Sequence, residues 1–296
     1  MSRLALGGLL AFTAIAAQAQ PVPGRDLLGH GLGLTAEAAA FAEGAAAGFW
    51  NPATSILENG DRGRIGAAAL NAPIDLSFAA QVAHLAVVRD GWGTLFGSVA
   101  HAAVSDLVRT GTDPQSIGSD IPYRTVLVSA GLARRFAPHV VAGAALRWHW
   151  GQADARSDNA LVTDVGAVFD GLTRFDGRIA VSTFLVGPGT DDSPTLALAA
   201  DARVAGADTL RAVRAGLAMS RTRAAITEHY PFAEVRYSKI SVRGGPVFAS
   251  GYGHSQRRFR LGILLRQEGF VVGLAREDNA GGLSPTYQLA VVRVWR

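Results

Sequence analysis

Residues 140–150 have the sequence VVAGAALRWHW, in which two kinds of side chain alternate at every position. One set is apolar: Val140, Ala142, Ala144, Leu146, Trp148 and Trp150. The other set holds small and polar residues: Val141, Gly143, Ala145, Arg147 and His149. Successive side chains of a β-strand point to opposite faces. The stretch therefore predicts a strand with one face toward lipid and one toward a narrow, polar interior.

Residues 257–266 repeat this pattern, with Arg258, Arg260, Gly262, Leu264 and Arg266 on the inner parity. From residue 62 onward, segments of about ten residues are separated by turn residues. We predict fourteen strands: 64–72, 79–89, 92–103, 123–136, 139–150, 159–169, 177–187, 194–203, 209–220, 229–237, 239–247, 256–267, 269–277 and 286–295. Twelve is the alternative count, because the tenth and eleventh segments are the least distinct.

The connections between these segments fall into two kinds. After even-numbered segments they are mostly short, as at Asp90-Gly91 and Ala137-Pro138. After odd-numbered segments they are mostly longer, notably at 104–123, 246–255 and 278–285. Short turns at one end and long loops at the other are typical of outer-membrane barrels. A soluble sandwich has no reason to sort its loops in this way.

Composition favours the same fold class, an all-β transmembrane antiparallel up-and-down barrel. Hydrophobic residues make up 49% of the 296 residues and charged residues only 18%. After the N-terminal segment no apolar run reaches the roughly 18 residues that a membrane-spanning helix needs. A secreted β-rich protein with an ordinary core is the alternative. Cysteine is absent and Lys239 is the only lysine. The scattered arginines form no basic stripe, so we expect no nucleic-acid partner.

Residues 1–19 are predicted to be a signal peptide for export to the outer membrane. Arg3 supplies the positive charge, an apolar stretch follows, and Ala17-Gln18-Ala19 offers a cleavage site. An N-terminal anchor helix is the alternative interpretation. The remaining chain divides into an N-terminal segment, 20–61, and the barrel, 62–296.

The segment 20–61 is rich in alanine and glycine and is predicted to be a hatch or plug. Residues 35–41 are expected to form a short helix with Thr35 as its N-cap. A disordered leader is the alternative.

The most specific motif of this segment is Phe49, Trp50, Asn51, Pro52 and Ala53. Pro52 keeps Asn51 out of the helical region, and the Asn51 side chain can hold a turn by bonding to nearby backbone. Trp50 combines a large apolar body with one hydrogen-bond donor. The motif is thus suited to wedging a plug against a barrel wall. A simple cap on an N-terminal turn is the alternative.

This motif, which follows Gly31-Leu32-Gly33 and an alanine-rich stretch, resembles the N-terminal region of the FadL-like outer-membrane proteins. That superfamily includes long-chain fatty-acid transporters and the PorV/PorQ-type barrels linked to secretion. The resemblance implies a fourteen-stranded barrel with a hatch in its lumen and passive, porin-like transport of hydrophobic or amphipathic small molecules. Candidate lumen contacts are the inward residues Arg147, His149, Arg258, Arg260 and Arg266, with Arg147 and Arg260 facing an anionic head group.

Two other functions stay open at this stage. A PorV-like barrel would act as a docking or shuttle partner for secretion-system or surface proteins, through the loops 104–123 and 246–255. An outer-membrane enzyme is the third hypothesis, but the sequence has no recognisable nucleophile motif. The seven histidines show no helical metal-ligand spacing. We therefore expect no enzyme, no cofactor and no metal, and as partners outer-membrane lipid and a hydrophobic ligand.

Overall fold

The computed structural model describes residues 22–29, 31–58, 60–72, 77–110, 117–172, 175–187, 194–206, 211–222, 227–251, 254–278 and 285–296. The predicted signal peptide, residues 1–19, lies outside these ranges. Within them, no helix has the length and apolar character needed to cross a bilayer.

In the described residues, fourteen antiparallel strands form one closed barrel in which neighbours along the chain are neighbours in space. The strands are β1 (Gly63–Asn71), β2 (Phe78–Arg89), β3 (Gly93–Val104), β6 (Tyr123–Ala137), β7 (Val140–Ala153), β8 (Arg156–Leu172), β9 (Gly177–Phe184), β10 (Thr195–Ala205), β11 (Arg211–Thr222), β12 (Thr227–Tyr237), β13 (Ile240–Gly251), β14 (His254–Gln267), β15 (Phe270–Glu277) and β16 (Thr286–Trp295). Two short strands, β4 (Val108–Thr110) and β5 (Ile117–Asp120), form a hairpin between β3 and β6. The predicted all-β barrel of fourteen strands, rather than twelve, is confirmed.

The barrel closes where its first and last strands pair. The register of β1 on β16 runs from Gly63 opposite Trp295 to Asn71 opposite Tyr287. Closure leaves the sheet without an open edge, which satisfies the backbone donors and acceptors of both strands.

Side-chain burial alternates along the strands as the sequence predicts. On β7, Val141, Ala145, Arg147 and His149 are buried in the interior, whereas the outward Leu146 is half exposed. On β14, Arg260 is buried, and Arg258 and Arg266 share its inward parity. The outer surface is therefore apolar and suited to lipid contact.

The longest connections lie at one end of the barrel. Turns of two residues join β6 to β7, β12 to β13 and β14 to β15, at what we call the short-turn end. The long connection 105–122, with its hairpin, and the connection 278–285 lie at the opposite, long-loop end. Two connections depart from the predicted sorting, because only two residues join β7 to β8 and β13 to β14 at the long-loop end.

The predicted long loop 246–255 is wrong. Strand β13 continues to Gly251, and β14 begins at His254 directly opposite it. Gly244, Gly245 and Pro246 read as turn residues, yet they lie within the strand. The ladder between β12 and β13 instead skips the stretch around Pro231 and Pro246, where neither proline has an N–H to donate.

The described residues 22–29 and 31–58, which we call the plug, occupy the interior of the barrel. They contain four 3₁₀ turns: Arg25–Gly29, Ala39–Phe41, Gly44–Ala46 and Pro52–Ser55. The first turn contacts β3 and β6, and the second contacts β9, β10 and β11. The third turn contacts β1, β2 and β16. The fourth turn contacts β3, β6, β7 and β8. The plug thus contacts strands from around most of the wall, and Leu28, Leu32, Phe41 and Phe49 are fully buried.

The prediction of a helix at 35–41 is also wrong. Only Ala39–Phe41 is helical, as a single 3₁₀ turn, and the N-cap of that turn is Ala38. Thr35 and Ala36 have left-handed backbones, with φ of 46° and 61°. Thr35 lies against two wall glycines. A Cβ on Gly262 or Gly273 would come within 2.4 or 2.6 Å of Thr35 atoms. Packing against the wall therefore overrides the local helix signal.

An arginine placed on the outer surface tests the orientation of the strands in lipid. Leu217 lies midway along β11 and is 53% exposed, and Val204 lies near the short-turn end of β10 and is 63% exposed. We expect Leu217→Arg to lower the free energy of unfolding in bilayers by about 2–4 kcal/mol, and Val204→Arg by about 0–1 kcal/mol. Equal losses in urea titrations of the two variants would contradict the membrane placement.

Candidate functional site

The turn at the centre of the plug is built around Asn51. Its side-chain oxygen accepts the Ala53 N–H at 3.0 Å, and its amide donates to the Ala40 carbonyl at 2.6 Å. Pro52 occupies the first position of the turn, where its missing N–H costs nothing. Asn51 and Ala53 are fully buried. One side chain therefore caps its own turn and also ties it to the second turn of the plug.

The wall is shaped to receive this turn. A Cβ on Gly166 of β8 would lie 1.9 Å from the Asn51 side-chain oxygen. A Cβ on Gly143 of β7 would lie 2.6 Å from the carbonyl carbon of Pro52. Glycine is required at both positions because the plug occupies the space of a side chain, with its backbone at Gly143 and with the Asn51 side chain at Gly166. Nothing in the strand pattern shows which glycines have this role.

An aromatic cluster joins the plug to β9. The rings of Phe49 and Trp50 meet edge to face at 5.2 Å, and Phe184 lies 4.8 Å from Trp50. The Trp50 indole nitrogen donates to the Leu32 carbonyl at 2.8 Å. The wedge expected for Trp50 thus has a specific partner on the wall, which sequence reasoning did not identify.

Arg147 anchors the motif to β7. It is fully buried, and it donates to the carbonyls of Gly48 at 3.1 Å and Phe49 at 2.6 Å. Its guanidinium also lies over the rings of Phe49 and Phe184. The structure therefore places this predicted lumen residue against the plug.

Asp164 on β8 is the carboxylate that balances Arg147. The two form an ion pair in which neither side chain is exposed. Asp164 also accepts the Val186 N–H at 3.3 Å. Sequence reasoning missed Asp164, although a buried arginine requires an acidic partner.

A second set of ion pairs joins the plug to β9, β10, β12 and β13. Glu43 lies 2.7 Å from Arg178, which in turn contacts Asp201. Glu37 lies 3.2 Å from Arg243, which also binds Glu234 at 2.7 Å. Glu37 and Glu43 therefore each form an ion pair with an arginine of the wall. Sequence spacing does not reveal these pairs.

Burial raises the pKa of Glu37 to about 7. Arg243 opposes this rise and Glu43 adds to it. Glu43 is half exposed and lies beside Arg178, which holds the pKa of Glu43 below its usual value. Glu37 is thus a plug group whose charge changes near neutral pH.

A cavity of about 930 Å³ lies at the long-loop end, between the plug and the wall. Leu34, Trp50 and Phe184 contribute to its apolar lining. Of the predicted lumen contacts, Arg258 and Arg260 line the cavity, whereas Arg147, His149 and Arg266 lie elsewhere.

The two remaining predicted contacts have wall partners. His149 is buried, and a ring nitrogen lies 2.8 Å from the Thr125 hydroxyl. Arg266 donates to the Ser241 hydroxyl. In the ranges described above, no three histidine or acidic residues are grouped to hold a metal ion.

Removing one member of the Arg147–Asp164 pair is expected to be costly, because it leaves the other charge buried. We predict that Arg147→Met lowers the free energy of unfolding by about 3–5 kcal/mol. Arg147→Met with Asp164→Asn removes both charges and keeps an acceptor for Val186. The double variant is expected to lose only about 1–2 kcal/mol, for the bonds to Gly48 and Phe49. A double variant as unstable as Arg147→Met would show that an unpaired buried charge is not the cause of the lost stability.

Glu37 is expected to make plug docking dependent on pH. The docked plug retains a proton that a released plug gives up between pH 4.5 and about 7. The contribution of Glu37 is therefore complete below pH 4.5 and is lost as the pH rises through about 7. Glu43 has the opposite sign: its contribution is complete above about pH 4.5 and is lost only as the pH falls below that value.

We therefore predict that proteolysis of the plug is faster at pH 8 than at pH 5, and that Glu37→Gln removes most of this difference. The protease cleavage rate must be corrected for its own pH dependence on an unfolded substrate. If the cleavage rate of the Glu37→Gln variant has the same pH dependence, then groups other than Glu37 cause that dependence.

Comparison with known proteins identifies the fold. No protein-family model matches the sequence, and no curated protein matches it significantly. The structure is similar to the CymD monoaromatic hydrocarbon channel, with a TM-score of 0.61 and 11% identity over 93% of this chain and 98% of that one. It is also similar to the Pseudomonas putida toluene transporter TodX, with a TM-score of 0.59 and 12% identity over 94% and 99% of the two chains. The barrel therefore has the fold of outer-membrane channels.

Proposed function

We propose that this protein is a passive outer-membrane channel for hydrophobic or amphipathic small molecules, with the plug as its movable gate. The observation that carries the proposal is the cavity at the long-loop end, whose lining is shared between the barrel wall and the plug. A molecule held there is in direct contact with the segment that fills the lumen below it.

The construction of the plug supports movement. In the described residues, its longest regular element is a 3₁₀ turn of five residues. It is held in place by individual contacts such as Gly33 N–H to the Gln288 side chain at 2.7 Å and Glu43 to Arg178. No strand of the plug joins the sheet, so these contacts can break without opening the barrel in its described part.

The fold and the apolar lining support the ligand class. The two channels compared above are described as carrying monoaromatic hydrocarbons or toluene. Trp50 and Phe184 present aromatic rings to the cavity, and such rings bind apolar molecules well. Movement down a concentration gradient requires no energy source.

A docking role has one observation in its favour. The hairpin of β4 and β5 projects from the long connection 105–122, and Leu107 and Val108 are exposed there. The second loop proposed for docking, 246–255, is largely strand. Binding of a secretion or surface protein to this hairpin is the second candidate function.

Locking the plug to the wall tests the gate. A Cβ on Gly273 would lie 3.4 Å from the Thr35 Cβ, close to the roughly 3.5–4.5 Å of a disulfide. The chain has no native cysteine, so Thr35→Cys with Gly273→Cys gives a single cross-link. We expect oxidation to reduce uptake of N-phenyl-1-naphthylamine by intact cells about tenfold or more, and reduction with dithiothreitol to restore it.

The single variant Thr35→Cys, treated with the same oxidant, is the matched control and should keep its uptake. Unchanged uptake in the oxidised double variant would show that plug movement is not required. Uptake no faster than in cells without the protein would reject the transport function itself.

A further inference from the structure

The cavity at the long-loop end has two chemically different sides. On one side Trp50 and Phe184, with ring centroids 4.8 Å apart, lie with Leu34 and Leu70. The other side is charged and lies on β12, β14 and β15: Glu228, Tyr230, Arg258, Arg260 and Glu277. A ligand that fills the cavity meets both sides.

The charges on the second side balance one another. Arg258 contacts Glu228 and lies 2.8 Å from Glu277. Arg260 binds the same Glu277 through two nitrogens, at 2.8 and 3.0 Å. Two guanidinium groups thus face two carboxylates. This side of the cavity presents no net positive charge to a ligand.

Two other arginines of the lining also lie beside carboxylates: Arg156 is 3.9 Å from Asp158, and Arg276 is 3.0 Å from Asp278. Pairing with carboxylates therefore extends to arginines of the described lining outside β14.

A carboxylate ligand is disfavoured by this arrangement. It would have to displace Glu277 from Arg260, or else lie beside Glu277 and Glu228 with the same charge. An uncharged hydroxyl or carbonyl group meets neither obstacle. Each guanidinium carries five N–H donors, and each carboxylate oxygen can accept more than one bond, so an uncharged polar group can bond within this side of the cavity.

We infer that the cavity selects uncharged aromatic molecules that carry a hydroxyl or carbonyl group, and that it discriminates against carboxylates of the same skeleton. This inference rests on the proposed transport function, because it identifies the cavity as the uptake site. The aromatic body packs on Trp50 and Phe184, and the polar group bonds within the charged side. The sequence led us to expect an anionic head group at Arg260, but Arg260 is bound instead to the carboxylate of Glu277.

The test compares two ligands with one skeleton, 3-phenylpropanol and 3-phenylpropanoate, at about pH 8, where the acid is ionised. Their binding to the full chain in detergent micelles is measured by calorimetry, with empty micelles as the reference. We expect the alcohol to bind at least about tenfold more tightly. Glu277→Gln releases the two arginines and should reduce this preference about tenfold or more, by strengthening carboxylate binding.

Asp170→Asn makes the same charge change at the short-turn end, beside Arg135, and should leave the preference unaltered. If Glu277→Gln does not give the heat-modifiable migration of a folded barrel, Glu228→Gln tests the same balance and should shift the preference in the same direction. Equal or tighter binding of the carboxylate to the native chain would overturn the inference. A folded variant with an unchanged preference would overturn it as well.

These outcomes are separable from failure of the proposed function. Carboxylate preference together with uptake of the naphthylamine probe leaves the channel intact and rejects only the selectivity. Absence of binding by both ligands, together with absence of probe uptake, rejects the channel itself.

Discussion

Hydrocarbon offers a peptide group no hydrogen-bond partner, and the architecture of this protein follows from that constraint. A strand in a bilayer must pair on both sides, so the sheet must close. Pairing of β1 with β16 over nine consecutive residues provides the closure. Outward side chains need only be apolar. This is why apolar residues as different in size as Leu146 and Trp148 both lie on the outer surface.

Closure with this many strands creates a second requirement. A barrel of about eight strands is filled by its own side chains, whereas a larger one encloses a lumen. Here the inward residues are often small, such as Gly143, Ala145 and Gly166. The plug fills the remaining space, and it lies against these glycines through its backbone at Gly143 and through the Asn51 side chain at Gly166. The small inward residues of the strand pattern are thus explained by the plug as well as by the wall.

The strands were predictable because each one carries its own alternating pattern. Residues 140–150 identify both the inward Arg147 and the outward Trp148 without reference to any other part of the chain. The contacts of the plug were not predictable in this way. Gly166 and Asn51, or Arg178 and Glu43, are far apart in sequence, and only the closed barrel brings each pair together.

Local signals failed where distant contacts outweighed them. Thr35 reads as a helix cap, but the wall at Gly262 and Gly273 sets its backbone. Pro246 reads as a turn residue, but Val247 and Ala249 beside it face the interior and hold β13 in the sheet. The charge of an inward arginine likewise says nothing of its role until its partners are known. Arg147 binds the plug, whereas Arg260 binds Glu277 beside the cavity.

The ionic anchors of the plug reconcile a defined position with the capacity to move. Apolar contact alone has little directional preference, so an alanine-rich segment held only by packing could settle in several positions in the lumen. A buried ion pair adds little net stability, because desolvation offsets most of the attraction. It nevertheless penalises every arrangement that leaves one of its charges unpaired. Arg178 with Glu43 and Arg243 with Glu37 therefore determine where the plug rests without holding it strongly, which is the balance that the proposed gate requires.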